Sequence, residues 1–145
     1  MITLRQTQYE DYILLADTGY GAMGEAEFCK MADASMLKEL DDKYFQSFTI
    51  VDNDAVVGIA TLFAHSRHII GTGIEIRPPH RQRGYATYVL KKLLEFAKSL
   101  GYAIASTYVR EDNVPSKAFH EKLGFEKDGV FEKNGREVCV YLKLL

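Results

Sequence analysis

The 145-residue sequence predicts one domain of the α/β or α+β class, built around a mixed sheet. Segments rich in β-forming residues alternate with helical segments in the order β-αα-βββ-α-β-α-ββ. The hydrophobic fraction of 47% and the charged fraction of 26% are ordinary for a globular domain. No internal repeat or linker interrupts the chain, so we expect a single domain over residues 1–145.

The N-terminal part of the chain predicts one strand and two helices. Ile2–Arg5 alternates in polarity and predicts a short first strand. Thr7–Glu10 has the composition of a capping box, which predicts a helix that runs to about Asp17. Gly19–Gly24 predicts a glycine-rich loop. Glu25–Leu40 consists mostly of helix-forming residues and predicts the second helix.

Three consecutive strands are expected next. Phe45–Val51 and Ala55–Phe63 are rich in β-forming residues and flank the turn sequence Asp52-Asn53-Asp54. His68–Arg77 predicts a third strand, which Pro78-Pro79 terminates.

The C-terminal half predicts two helices and three more strands. Tyr85–Leu100 is the clearest helix, because its apolar residues recur at helical spacing and Gly101 follows them. Asn113 is placed to cap a shorter helix. The other predicted elements are a strand at Tyr102–Val109, a helix at Val114–Leu123, and a hairpin of Phe125–Phe131 with Arg136–Leu142 across the turn Asn134-Gly135.

Charge is unevenly distributed along the chain. The net charge is −2, which disfavours general nucleic-acid binding. Residues 8–54 carry eleven acidic and three basic side chains, whereas residues 76–94 carry five basic side chains and no acidic one. A basic segment in an acidic protein indicates a locally held anion, although a solvated surface would show the same pattern. His65, His68 and His80 have no metal-ligand spacing, so we expect no metal.

The cysteines and apolar segments suggest a protein of the cytoplasm. Cys29 and Cys139 are far apart and form no CxxC pair, so neither a disulfide scaffold nor a four-cysteine zinc site is predicted. We expect both to be reduced thiols. The segment Met1–Glu10 lacks the apolar run of a signal peptide, and no stretch approaches the ~20 apolar residues of a membrane span.

Two glycine motifs are candidates for ligand binding. Gly19–Gly24 matches GxGxxG, but a dinucleotide fingerprint needs a preceding strand, and the preceding segment predicts a helix. A loop between two helices explains it better. Arg81–Ala86 lies between a strand and the clearest helix, where backbone N–H groups, the helix dipole and the bare backbone of Gly84 can hold an anion such as a diphosphate.

The second motif resembles the cofactor motif of the GNAT superfamily of N-acetyltransferases. Arg81-x-x-Gly84-x-Ala86 satisfies the family pattern Q/R-x-x-G-x-G/A, and Gly73–Pro78 looks like the family's fourth strand. The run Glu111–Phe125 resembles its N-x-x-A/S…LGF element. The motifs have the expected order and separation. The order of predicted elements resembles the family over the whole chain, and the sequence itself resembles it over residues 68–131.

This resemblance implies the GNAT fold, a mixed, mostly antiparallel sheet of six to seven strands flanked by four helices. It implies acetyl-CoA as cosubstrate, with its diphosphate on the Arg81–Ala86 loop and its pantetheine amides paired with the fourth strand. The residues implied to contact the cofactor are Ile74, Ile76, Arg81, Gln82, Arg83, Gly84, Tyr85, Ala86, Thr87, Asn113 and Ser116.

The resemblance also implies two catalytic candidates. Glu75 points opposite its apolar neighbours on a strand and matches an acid that helps deprotonate the amine in many relatives. A salt bridge with Arg77 or a helix lysine is the structural alternative. His120 stands where the family usually has a tyrosine general acid, and Ser116 precedes it by one helical turn. A packed, hydrogen-bonded histidine is the alternative there. Tyr108, near the end of the fifth predicted strand, could touch substrate, but a position in an aromatic core explains it better.

The expected activity is transfer of an acetyl group to a primary amine of a small molecule, amino acid or peptide. In the family, the segment corresponding to Asp17–Glu27 shapes the acceptor site, and the acidic surplus of this region favours a cationic amine. Neither nucleic acid nor a membrane is an expected partner, and relatives are often homodimers. The alternatives are a non-catalytic acyl-CoA sensor on the same fold and a dinucleotide-binding protein that uses Gly19–Gly24.

Overall fold

The computed structural model describes residues 1–145. Eight strands, five α-helices and one 3-10 turn follow one another along the chain. In order, they are β1 (Ile2–Gln6), α1 (Asp11–Leu14), α2 (Gly19–Ala22), α3 (Glu25–Leu37), β2 (Glu39–Leu40), β3 (Lys43–Asp52), β4 (Ala55–Ala64), β5 (Ile69–Ile76), the 3-10 turn (Pro78–His80), α4 (Tyr85–Ser99), β6 (Ile104–Arg110), α5 (Val114–Lys122), β7 (Glu126–Lys133) and β8 (Arg136–Leu144).

The strands form a single sheet in the order β1-β3-β4-β5-β6-β8-β7, with β2 paired to β3 outside this path. Every neighbouring pair is antiparallel except β5 and β6, which are parallel. The predicted mixed, mostly antiparallel sheet is therefore confirmed. It has one strand more than the predicted upper bound, because two residues after α3 pair with β3.

The predicted capping box at Thr7–Glu10 is wrong. The Thr7 side chain is buried and its hydroxyl lies 2.7 Å from the Ser47 hydroxyl, so it links the chain to β3 instead of capping a helix. Helix α1 begins at Asp11, has no side-chain cap, and ends at Leu14 rather than at Asp17. A tertiary hydrogen bond has overridden the local signal here.

The Gly19–Gly24 segment is helical where a loop was predicted. Gly19–Ala22 forms α2, which raises the number of α-helices to five. A side chain at Gly21 would place Cβ 2.4 Å from the Leu15 carbonyl oxygen, so only glycine lets the two short helices pack this closely. Because α2 follows a helix, the strand that a dinucleotide fingerprint requires is missing.

Helix α3 also ends earlier than predicted, at Leu37 instead of Leu40. Lys38 adopts a left-handed conformation with φ 56°, and the two residues after it pair with β3. Most other predicted boundaries lie within about two residues of the observed ones. The Asn134-Gly135 turn has positive φ at both residues, 52° and 75°, as a two-residue hairpin turn requires.

The helices cover the sheet from two sides. Val89, Leu93 and Ala97 of α4 pack on one face with apolar residues of β3 to β5. Leu15 and Phe28 pack with Val56 and Ile59 in a cluster that seats α1 to α3 on the sheet. Leu90 joins a third cluster with residues of β6 and β8 and with Phe125, which directly precedes β7. No helix combines the length and the hydropathy that a membrane span requires.

Candidate active site

A gap opens between the two parallel strands near the middle of the sheet. Strands β5 and β6 pair only over Ile69–Gly71 and Ile104–Ser106. Beyond this point β5 continues to Ile76 beside β4, while β6 continues to Arg110 beside β8. The strands therefore diverge, and a cavity of about 590 Å³ lies between them and the starts of α4 and α5.

Main-chain groups of β5 face this gap. Arg77 donates its backbone N–H to the Val57 carbonyl at 2.8 Å. By alternation, the odd-numbered residues of β5 direct their backbone N–H and C=O groups toward β4. Because alternate residues of a strand direct their peptide groups to opposite edges, those of Ile74 and Ile76 face the gap. The carbonyl oxygen of Ile76 accepts a hydrogen bond from Arg81 Nε at 3.0 Å, so the Arg81 side chain closes one end of this edge.

The Arg81–Ala86 loop leads into α4 at the mouth of the cavity. Gly84 is the N-cap residue with φ +81°, and no atom lies within 4 Å of the position that a Cβ would take. The open backbone and the N–H groups of the first turn form a positively polarised concavity. The loop residues that line the cavity are Arg81, Gln82, Gly84, Tyr85, Ala86 and Thr87.

Arg83 is the one residue of the predicted loop that does not line the cavity. Its positive charge contributes to the lowered pKa of Asp52, at the end of β3. The Tyr85 hydroxyl donates to Asp52 Oδ2 at 2.5 Å. This hydrogen bond raises the pKa of Tyr85 and lowers that of Asp52. It ties the first residue of α4 to the end of β3 and so orients the loop.

Helix α5 contributes the opposite wall. Asn113 Oδ1 accepts a hydrogen bond from the Ser116 backbone N–H at 3.1 Å, so the predicted N-cap is confirmed, and both residues line the cavity.

A group of ion pairs precedes the helix. The Glu111 carboxylate accepts hydrogen bonds from the ammonium groups of Lys117 at 3.0 Å and Lys127 at 3.3 Å. A hydrogen bond from Cys139, together with these two lysines, lowers the pKa of Glu111 to about 2. This ion-pair group holds the start of α5 against the C-terminal hairpin.

His120 lines the cavity from the last turn of α5. Its Nδ1 lies 2.9 Å from the Ser116 carbonyl oxygen and must be protonated to donate to it, which leaves the lone pair on Nε2. The ring makes edge contacts with Phe119 and Phe125 at centroid distances of 5.0 and 5.3 Å. Burial lowers its pKa, and the bond to Ser116 opposes this shift only in part. The imidazole is therefore neutral at pH 7.

Glu75 lies on the face of the sheet that carries α1 and α2. Both of its carboxylate oxygens accept the Gly19 backbone N–H, each at 2.9 Å. Arg77, two residues further along, pairs with Asp17 at 3.0 Å instead of with Glu75. The structure therefore joins the α1–α2 turn to the end of β5 through two separate contacts. Each oxygen of Glu75 keeps capacity for a further hydrogen bond.

Two further residues line the cavity, although neither belongs to the predicted site residues. Tyr108, predicted as core, has 51% of its surface exposed and lines the cavity, so that prediction is wrong. Two polar residues, Ser106 and Thr107, precede it on the strand, a weak signal that sequence reasoning could have used. His80 lines the cavity as well, and its Nδ1 is buried without a hydrogen-bond partner. No group of three or more His, Cys, Asp or Glu side chains has metal-binding geometry.

Comparison with known proteins agrees with this geometry. Residues 7–125 match the family described as acetyltransferase (GNAT). The SPbeta prophage-derived uncharacterized N-acetyltransferase YokL of Bacillus subtilis (strain 168) is 28% identical in an alignment of 141 positions, which covers 91% of this chain and 80% of YokL.

Solved structures share the fold at low sequence identity. One is yncA, a putative acetyltransferase from Salmonella typhimurium with its cofactor acetyl-CoA, at a TM-score of 0.81 and 16% identity over 99% of this chain and 94% of that chain. Mutant forms of the spermidine/spermine N-acetyltransferase SpeG from Vibrio cholerae match at a TM-score of 0.78 and 18% identity over 99% and 95% of the two chains. The family match covers most of the sequence, and the chain therefore belongs to the acetyltransferase (GNAT) family.

Proposed function

We propose that this protein is an acetyl-CoA-dependent N-acetyltransferase that acts on a primary amine of a small molecule, amino acid or peptide. The observation that carries the proposal is the opened β5–β6 gap, which ends at the N-terminus of α4. An unpaired strand edge, the N-terminus of α4 and the side chains of Glu75 and His120 line the same cavity. Family membership and the acetyl-CoA named with the Salmonella structure support it.

The residues present fit coenzyme A. Its diphosphate matches the open backbone at Gly84 and the N–H groups of the first turn of α4. Its pantetheine amides match the peptide groups of Ile74 and Ile76, which face the gap like the edge of an unfinished sheet. Asn113 and Ser116 lie on the opposite wall. When bound, acetyl-CoA supplies an acetyl group activated as a thioester.

We assign proton transfer to Glu75 and His120. The neutral amine nitrogen attacks the thioester carbonyl carbon, a C–N bond forms, the C–S bond breaks, and the amine's proton finally reaches the departing sulfur. Glu75, directly or through a water molecule, takes the proton from the incoming ammonium group. His120 carries its lone pair on Nε2, so it can accept the proton released by the attacking nitrogen and return it to the thiolate.

The acceptor is proposed to be cationic before it reacts. The acidic surplus of residues 8–54 attracts an ammonium group toward this part of the molecule. SpeG from Vibrio cholerae, which has the same fold, is named as a spermidine/spermine N-acetyltransferase, and both of these compounds are amines. We place the reaction in the cytoplasm, since both cysteines are free thiols.

A second candidate function is acyl-CoA binding without turnover. The observation that favours it is the engagement of both catalytic candidates, Glu75 with Gly19 and His120 with Ser116. This alternative expects acetyl-CoA binding that survives Glu75→Gln and His120→Ala, with no free thiol released by any variant in the presence of amines.

Calorimetric titration with acetyl-CoA, CoA and NADH tests the proposal. We expect the wild-type protein to bind acetyl-CoA and CoA but not NADH. Gly84→Glu should abolish binding, because the carboxylate repels the diphosphate and fills the open backbone. Gly101→Glu is the matched control, because Gly101 also has positive φ and open space but lies at the far end of α4. Equal binding by both variants would refute the proposed cofactor position.

Turnover is measured as thiol release from acetyl-CoA across a panel of amines. Acetylated amine must appear in the same amount as free CoA, because one acetyl group moves per thiol released. Binding without turnover on any amine would favour the acyl-CoA module over the enzyme.

A further inference from the structure

Four aromatic rings form a continuous row beside the cavity. The centroid distances are 5.3 Å between Phe63 and His65, 5.8 Å between His65 and Tyr108, and 5.4 Å between Tyr108 and Phe131. We call these four residues the aromatic row. It runs from the end of β4 across the diverging end of β6 to β7. Rings at these distances interact favourably with one another and can accept a further ring at the exposed end of the row.

The aromatic row is continuous with the proposed active site. Tyr108 and Glu75 both line the cavity between β5 and β6. Ala105 and Val109 belong to the core beneath α4, so by alternation along β6 Tyr108 points to the opposite face, where the Glu75 carboxylate meets α2. A molecule that contacts Glu75 through an ammonium group can therefore extend along this face toward Tyr108.

The outer end of the aromatic row is accessible. Tyr108 is 51% exposed and Phe131 is 37% exposed, so both rings present surface to solvent. Beneath the row, Phe63 occupies the space that a side chain at Gly71 would need, since a Cβ there would lie 2.3 Å from the ring. The backbone at Gly71 therefore holds the inner end of the row flat against the sheet.

The charges around the aromatic row suit a ring better than a second cation. Burial and the nearby Lys43 lower the pKa of His65, so its imidazole is a neutral ring at pH 7. Lys133 follows Phe131 by two residues and lies on the same face of β7. A polyamine that placed one ammonium group at Glu75 would bring its next ammonium group toward Lys43 and Lys133, where like charges repel.

We propose, building on the proposed acetyltransferase function, that the acceptor is a primary amine with an aromatic ring on a short alkyl chain. Its ammonium group meets the Glu75 carboxylate, and its ring stacks on Tyr108 and Phe131. The aromatic row thereby determines acceptor specificity, while Gly84 and the rest of the loop bind the cosubstrate.

The test compares kcat/KM for phenethylamine, cyclohexylethylamine, butylamine and spermidine at saturating acetyl-CoA. We expect phenethylamine to exceed butylamine by roughly ten-fold or more and to exceed both cyclohexylethylamine and spermidine. Phe131→Leu and Tyr108→Leu should remove most of this preference, chiefly through KM. Tyr88→Leu is the control, since Tyr88 is a comparably exposed ring on α4, outside the aromatic row.

The outcomes separate this inference from the proposed function. Calorimetry with acetyl-CoA accompanies each variant, because Tyr108 also lines the cosubstrate cavity, whereas Phe131 does not. Equal use of all four amines, or an unchanged preference in Phe131→Leu, overturns the inference and leaves the acetyltransferase function standing. Failure to acetylate any amine overturns both.

Discussion

Replacing Glu75 by glutamine should separate its chemical role from its structural one. The carboxylate accepts the Gly19 N–H with both oxygens at 2.9 Å. Glutamine keeps one acceptor oxygen for this bond but removes the negative charge and the ability to take a proton. We therefore expect kcat to fall roughly 100- to 10,000-fold, the usual contribution of general acid–base catalysis, while the fold is retained.

The structural contribution of the same contact is small. A charge-assisted hydrogen bond at an exposed site contributes about 1 kcal/mol to stability. For a chain of 145 residues, this corresponds to a fall in Tm of roughly 3–4 °C when the bond is lost. We expect Glu75→Ala to show this loss and Glu75→Gln to show little of it.

The assay combines initial rates of thiol release with thermal unfolding followed by circular dichroism. Glu121→Gln is the matched control, because Glu121 accepts a hydrogen bond from the Tyr141 hydroxyl at 3.0 Å, does not line the cavity, and loses the same charge on substitution. If Glu75→Gln retained the wild-type kcat with a good amine acceptor, the assignment of proton transfer to Glu75 would be wrong, and the carboxylate would only hold the α1–α2 turn.

Three further perturbations have defined outcomes. Gly71→Ala places a Cβ 2.3 Å from the Phe63 ring, so we expect a loss of about 1–3 kcal/mol in denaturant unfolding, and an unchanged midpoint would contradict the packing. Tyr85→Phe removes the hydrogen bond to Asp52 that orients the proposed cofactor loop, so calorimetry should show several-fold weaker acetyl-CoA binding with a small change in Tm. The lowered pKa of His120 means that the unfolded chain binds more protons than the folded one as pH falls below about 6.5, so stability should decline there. His120→Gln should flatten this decline in urea titrations, and an equally steep decline would place its origin in other groups.

Much of the fold follows from local patterns. The helix at Tyr85–Ser99 has a clear apolar stripe, and Asn134-Gly135 is typical of a two-residue hairpin turn, because both of its residues need positive φ. Both were predictable because the determining interactions lie within a few residues of each other. The capping-box signal at Thr7–Glu10 failed for the opposite reason. The Thr7 hydroxyl bonds to Ser47, forty residues away, and no local rule reports such a partner.

The candidate site shows the same division. Gly84 and Asn113 could be found from sequence, since a positive φ before a helix and an N-cap are both local requirements. Tyr108 carried only the weak signal of two preceding polar residues, because its exposure depends on the divergence of β6 from β5 and on the absence of a covering helix. The partner of Glu75 was equally hidden, since Gly19 lies fifty-six positions away.

The sequence by itself determined the order of most elements, the turns and the glycine-containing loop at the start of the longest helix, because each depends on backbone preferences of a few adjacent residues. Tertiary structure alone decided how far β5 and β6 pair, which side chains enter the gap between them, and how the aromatic row assembles from β4, β6, β7 and the turn after β4. These features arise from packing between segments that are distant along the chain, where strand divergence and side-chain burial depend on the whole sheet.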